Sequence, residues 1–232
     1  MFRTIVCLIR LFCYLFRQNR KLKCVQKLKN DTTQHDKLVS KYVKDWANYV
    51  LKISGVSLEV EGLSNIPNET VIFVCNHQSL FDIPVLLAGL DKPYGLLSKD
   101  AIKKIPFINK WMTELNCVFI DRNNPKSAVS SLSLVGDNLE KGYSMIIFPE
   151  GTRSKTSELL KFRSGAFRLA TSKNISIVPI ALSGTRQIFE NNHNLIKPGH
   201  VTIKVLPKIP VSSDSDYKAL SLKAYDEIKK NL

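Results

Sequence analysis

The chain has 232 residues, 44% hydrophobic and 23% charged, with a formal net charge of +14 and a sequence pI near 9.6. That suffices for one α/β domain with an N-terminal appendage; it excludes nucleic acid as the partner, because no interleaved aromatic and basic motif occurs and the excess charge sits beside an apolar segment. Five cysteines form no Cys-x-x-Cys pair and leave one unmatched, which points to reduced thiols and a cytoplasmic face, and no repeat or low-complexity tract is present.

The first predicted element is a helix from Phe2 to Phe16, apolar except for Arg10 and bounded by Arg3 and Arg17. Within residues 1–30 stand Arg3, Arg10, Arg17, Arg20, Lys21, Lys23, Lys27 and Lys29 with no acid, more than half of the net charge. A helix of that length spans about 22 Å, short of a hydrocarbon core about 30 Å thick, so it is expected to lie in or dip into one leaflet. A cleaved signal peptide competes with this reading, but Arg10 interrupts the apolar core and Gln18-Asn19-Arg20-Lys21 follows where a small-residue cleavage site belongs. A second helix is predicted over Asp36 to Ser54, where Leu38, Tyr42, Trp46, Tyr49, Val50 and Ile53 recur at helical spacing. Such a stripe packs a core or meets a membrane interface, and both uses are open here. Residues 1–55 are therefore expected to form a monotopic, membrane-associating pair of helices on an anionic surface, each nearby cation contributing about 1 kcal/mol. Residues 56–232 are expected to form the domain that carries the chemistry.

Within that domain, strands are expected near Val56–Val60, Thr70–Cys75, Tyr94–Ser98, Cys117–Asp121, Ser144–Phe148, Ser176–Ala181 and Val201–Leu206. Helices are expected near Leu80–Gly89, Phe107–Leu115, Pro125–Lys141, Arg163–Ser172 and Asp214–Lys230, with Pro125 starting one and Gly142 stopping it. The alternation predicts an α/β fold: a mostly parallel central sheet flanked by helices, with strand order open.

Polar clusters follow three of these strands. Asn76-His77-Gln78-Ser79-Leu80-Phe81-Asp82 sets an imidazole and a carboxylate five residues apart where a strand gives way to a helix. An imidazole there can take a proton from a hydroxyl while the carboxylate fixes its tautomer. A His and an Asp at this spacing also arise by chance, and Asp82 on its own favours the positive end of a helix. The next strand ends in Asp121-Arg122, and the following one runs into Pro149-Glu150-Gly151-Thr152-Arg153-Ser154, where a turn, two hydroxyls and a planar fork of donors suit a phosphate. In open α/β sheets the carboxyl ends of strands are where ligands bind, so the shared placement favours one site. Ser79 as a hydrolase nucleophile is disfavoured, since no Gly-x-Ser-x-Gly elbow surrounds it. His35, His193 and His200 form no ligand-spaced cluster, so no metal is expected.

Taken together these blocks resemble the glycerolipid acyltransferases, the family that includes the 1-acyl-sn-glycerol-3-phosphate (lysophosphatidate) acyltransferases. The four matching blocks are Asn76–Asp82 in the NHxSxxD form, Val118–Arg122, Phe148–Ser154 and Ile177–Ala181. Leu97-Ser98-Lys99 and Lys161-Phe162-Arg163-Ser164-Gly165-Ala166-Phe167 resemble two softer segments, with Arg163 where Lys is commoner. The resemblance implies His77 as general base oriented by Asp82. It implies Lys99, Arg122 and Arg153 on the acceptor's phosphate, with Glu150, Gly151 and Thr152 shaping that pocket. It implies direct attack on a fatty acyl thioester of coenzyme A or acyl carrier protein, used as co-substrate without a further cofactor. Lysophosphatidate is the expected acceptor; glycerol 3-phosphate, another lyso-lipid, or a non-catalytic lipid-binding module are the alternatives.

Overall fold

Ile72-Phe73-Val74-Cys75 is buried at every position, as a strand covered on both faces must be. In this computed structural model, which describes residues 1–232 except 92, 93, 122, 123 and 157, it is the central strand of a seven-stranded sheet. The strands are β1 (Val56–Glu61), β2 (Ile72–Cys75), β3 (Tyr94–Lys99), β4 (Val118–Ile120), β5 (Ser144–Ile147), β6 (Ile177–Ser183) and β7 (Gly199–Val205). Their order is β1-β7-β6-β2-β5-β3-β4. All neighbours run parallel except β6 and β7, so β1 and β7 oppose the other five strands.

Side chains alternate between the faces along each strand. Phe73, Cys75, Ile146 and Val178 turn toward a core shared with α1 (Phe2–Gln26), α2 (Thr32–Ser54), α3 (Asp82–Gly89) and α4 (Ile108–Glu114). Ile72, Val74, Met145 and Ile177 turn toward a second core shared with α5 (Pro125–Glu140), α6 (Gly165–Lys173) and α8 (Tyr217–Lys230). Between β6 and β7 lie a short α7 (Thr185–Ile188) and a 3-10 turn, Glu190–Asn192, too short for any periodicity to announce.

The N-terminal helices differ from expectation in extent and in facing. Helix α1 continues past Phe16 to Gln26, because Thr4, Cys7, Gln18, Leu22 and Val25 carry a buried stripe through the basic run. The most apolar residues lie on its other side: Phe2, Ile5, Leu8, Ile9, Phe12 and Phe16 are all exposed. Helix α2 begins at Thr32, earlier than Asp36, because the Asp31 carboxylate accepts from the Gln34 N–H at 3.0 Å and caps it. It ends at Gly55 with φ 70°, the left-handed conformation a glycine adopts without strain. The two helices pack as a hairpin, Tyr14 stacked on Tyr49 at 4.4 Å. A polar knot fastens the hairpin to α4: His35 Nε2 meets Glu114 Oε2 at 3.0 Å, and Gln26 Nε2 donates to Glu114 Oε1 at 3.0 Å. Lys29 approaches the same carboxylate at 3.5 Å. No helix among the described residues is long and apolar enough to cross a membrane.

Candidate active site

Strand β2 delivers His77 to the carboxyl edge of the sheet, and Asn76 fixes how. Its side chain, fully buried, donates to Leu182 O at 3.0 Å and accepts from Leu182 N at 2.8 Å. This pair continues the β2–β6 ladder beyond its last backbone partners, Cys75 and Ile180. The chain then turns, and Asp82, in the first turn of α3 and fully buried, closes the turn on itself. One oxygen, Oδ2, accepts from Gln78 N at 2.7 Å and Ser79 N at 2.9 Å, and lies 2.7 Å from His77 Nδ1. An oxygen that already accepts two N–H groups leaves the proton of the third contact on Nδ1, so in the neutral imidazole the lone pair falls on Nε2. Phe148, stacked on the imidazole at 4.1 Å and 22°, holds the ring's plane. Phe148 opens the Phe148–Ser154 block, but nothing in the sequence assigned it a role beyond a strand end.

Strand β5, the neighbour of β2, delivers the Pro149–Ser154 turn to the same edge. Glu150 joins the two turns: its carboxylate accepts from His77 N at 2.6 Å and Leu160 N at 3.0 Å, and Ser154 N donates to His77 O at 2.8 Å. Burial raises the Glu150 carboxyl above the ordinary range, against the pull of those two backbone donors. Gly151 has φ 71°, and a Cβ there would stand 2.7 Å from Arg163 Nε, so glycine serves both the turn and the seating of Arg163.

These turns border a cavity of about 700 Å³, within the range of small-molecule sites. His77, Lys99, Gly151, Thr152, Arg153 and Arg163 line it. Trp46, Leu87, Leu96, Ile108, Trp111 and Leu115, from α2, α3, β3 and the α4 segment, are among the apolar side chains that line it as well. Of the residues singled out in the sequence, His77, Lys99, Gly151, Thr152 and Arg153 therefore share one cavity. Asp82 and Glu150 stand buried behind it, acting on the His77 turn and not on the cavity wall. Arg122 lies outside the described residues; its neighbour Asp121 lines the cavity.

Sequence reasoning missed the loop after β6 altogether. Glu190 accepts from Ser79 Oγ at 2.6 Å, Leu80 N at 2.9 Å and Arg153 Nη1 at 3.0 Å. Arg186 Nη1 donates to Ser154 O at 2.8 Å. Both lie in Thr185–Asn192, a polar run without period, and no local pattern flags them.

The arrangement combines a buried acid, an imidazole that borders a cavity, and a cavity lining of cations and apolar side chains. The acyltransferase family model matches residues 57–183. The chain is 34% identical over 177 residues to the 1-acyl-sn-glycerol-3-phosphate acyltransferase of Cocos nucifera, covering 76% of this chain and 56% of that protein. It is 30% identical over 185 residues to the enzyme of that name from Borreliella burgdorferi, covering 78% and 74% respectively. With the chloroplastic enzyme LPAT1 of Arabidopsis thaliana it shares 38% over 149 residues, 63% of this chain and 42% of that one. The chain thus spans about half the length of several curated relatives it matches. The crystal structure of PlsC, the 1-acyl-sn-glycerophosphate acyltransferase of Thermotoga maritima, superposes with a TM-score of 0.82 at 25% identity, covering 99% of this chain and 95% of that one. With a family model spanning both polar turns and the fold shared over nearly its full length, the chain belongs to the acyltransferase family.

Proposed function

We propose that this chain transfers a fatty acyl group from a thioester, on coenzyme A or acyl carrier protein, to the sn-2 hydroxyl of 1-acyl-sn-glycerol 3-phosphate, giving phosphatidate. The observation that carries it is the His77–Asp82 contact of 2.7 Å beside a cavity whose lining includes Lys99, Arg153 and Arg163 together with many apolar side chains. His77 Nε2 takes the proton of the acceptor hydroxyl as its oxygen attacks the thioester carbonyl carbon. The tetrahedral adduct then expels the thiolate sulfur, which takes the proton back from His77, so the base is restored. Lys99 and Arg153 hold the acceptor's phosphate, with Arg122 as a third cation, and that hold places the hydroxyl. The apolar walls receive acyl chain. The names of the relatives support lysophosphatidate over glycerol 3-phosphate as acceptor.

The exposed apolar row of α1, flanked by Arg10, Arg17 and Arg20, is read as the face that beds into one leaflet of an anionic membrane on the cytoplasmic side. Substrate would then reach the cavity from lipid, since Leu15 and Gln18 of the same helix line it.

The test is His77→Ala, assayed with lysophosphatidate, glycerol 3-phosphate and other lyso-lipids against both acyl carriers. Loss of transfer by about 10²-fold or more, with melting temperature and vesicle binding retained, is the expected result. Full activity in that variant removes the base, and a wild-type preference for glycerol 3-phosphate replaces the acceptor.

A further inference from the structure

One carboxylate outside the two signature turns touches both of them. Glu190 lies in the 3-10 turn after α7, with its side chain 16% exposed. Its oxygens gather three donors from two segments that are remote in sequence. Ser79 Oγ and Leu80 N belong to the turn between His77 and Asp82, and Arg153 Nη1 belongs to the turn after β5. Ser79 is fully buried and in turn accepts from Phe81 N at 3.0 Å. The two hydrogen bonds from the His77 side therefore close a small ring of contacts around the N-terminal end of α3. The third reaches a guanidinium that lines the cavity and is otherwise 43% exposed.

A long, half-exposed arginine samples many rotamers, and ordering it when a ligand arrives is costly. A charge-assisted bond to a well-held carboxylate removes much of that freedom beforehand. Glu190 is well held because its 3-10 turn follows α7, whose Arg186 is bonded to Ser154 O at 2.8 Å and to Asn191 Oδ1 at 2.6 Å. The loop after β6 is thus pinned to the same turn whose arginine it orients.

We propose that Glu190 is a positioning residue for acyl transfer, setting Arg153 in the orientation that receives the acceptor's phosphate while bracing the turn that carries His77. This rests on the acyltransferase reading above and adds to it a residue far from both motifs. The carboxylate acts through Arg153 on binding and through Ser79 and Leu80 on the chemical step, so its two effects separate by substitution. Glu190→Gln keeps an oxygen for Leu80 N and Arg153 Nη1, which share Oε1, and presents an NH₂ to Ser79 Oγ, which can accept from it; what it removes is the charge that strengthens the hold on Arg153. Glu190→Ala removes the acceptor from all three donors.

The experiment is steady-state acyl transfer to lysophosphatidate by the full chain, comparing wild type, Glu190→Gln, Arg153→Ala and the double variant. Expected for Glu190→Gln is a KM for lysophosphatidate raised about tenfold with kcat within about threefold of wild type. In the Arg153→Ala background the same change should raise KM no further, since two residues acting through one contact are not additive. Glu190→Ala should also lower kcat, by about tenfold or more, because a small misplacement of the base is expensive. A KM that is unchanged or falls in Glu190→Gln, or that multiplies with Arg153→Ala, overturns the proposal. If Glu190→Gln proves too unstable to purify, Glu190→Asp, which keeps the charge but withdraws it by one methylene, goes through the same cycle. A wild-type chain inactive on lysophosphatidate overturns the function itself; an active one with independent Glu190 and Arg153 effects overturns Glu190 alone.

Discussion

Replacing Asp82 by Asn tests how much of the chemistry depends on a charge that substrate never touches. The substitution is nearly isosteric, and the amide oxygen can still accept from Gln78 N and Ser79 N, so the turn has a partner for its backbone. What disappears is the negative charge beside His77 Nδ1. As the proposed base takes up a proton, a cation forms roughly 4 Å from the centre of that carboxylate, and at an effective dielectric constant of about 20 their attraction is about 4 kcal/mol. At about 1.4 kcal/mol per decade this predicts a fall in kcat on the order of 10³-fold. KM for the acceptor should stay within about threefold, because Lys99 and Arg153 are untouched. The folded state should lose about 1–3 kcal/mol from the poorer hydrogen bonding of a buried group, so melting curves must show a folded protein at the assay temperature. Initial rates over a range of lysophosphatidate concentrations, with released thiol as the readout, give both constants. A folded Asp82→Asn protein with kcat within about tenfold of wild type would refute the reasoning, since the imidazolium then needs no counter-charge.

Three further outcomes follow from the same contacts. Glu150→Gln presents an NH₂ group where one of two backbone N–H donors needs an acceptor, and should lower stability by about 1–3 kcal/mol by denaturant titration; an unchanged midpoint would mean the two turns hold without it. At Glu114, burial pushes the carboxyl upward, but Gln26, His35 and Lys29 outweigh it and hold the group below its ordinary value. A carboxyl lowered on folding stabilises the native state above its unfolded pKa and loses that contribution as pH falls through the folded one. Glu114→Gln should therefore melt below wild type at pH 7, with the gap closing below about pH 4; a gap that widens in acid contradicts the sign. On α1, Phe12→Glu and Phe16→Glu should each weaken binding to anionic vesicles by about tenfold or more, from roughly 1.5–3 kcal/mol of lost apolar burial. Flotation with rising salt should weaken the wild type as well, and binding indifferent to both would place the membrane contact elsewhere.

How much of this was legible in the sequence depended on how near in the chain the interacting residues stand. His77 and Asp82 meet across one turn, and the Pro149–Ser154 turn follows its strand directly, so contiguous letters carried their geometry. Pro125 after the capping Asn124, and Gly142 with φ 91°, gave both ends of α5 for the same reason. Asp31 with Gln34 three residues on is an equally local signal for the start of α2, though the apolar period begins only later. The sheet, by contrast, pairs β1 with β7, segments 143 residues apart at Val56 and Gly199, and turns β7 against β6, an order and direction for which one sequence carries no sign.

Helix α1 shows why hydrophobicity alone misleads. Its apolar run suggested where the helix would end, but the residues that fix its extent are the less conspicuous Thr4, Cys7, Gln18, Leu22 and Val25, which are buried on the face turned toward α2 and α4. The larger apolar side chains, Phe2, Ile9, Phe12 and Phe16, face out, leaving exposed the kind of contiguous patch that soluble surfaces rarely carry. Periodicity reports that a helix has two faces; which of them the protein buries is decided by what each face meets. The same logic governs the site. The proposed base and its acid can be read from spacing, whereas Phe148 against the imidazole and Glu190 against Arg153 exist only once β2, β5 and the loop after β6 have been brought to one edge. The chemistry of this fold is therefore written locally and its precision is supplied from afar, which is why the substitutions that best test it fall on residues outside the motifs as well as within them.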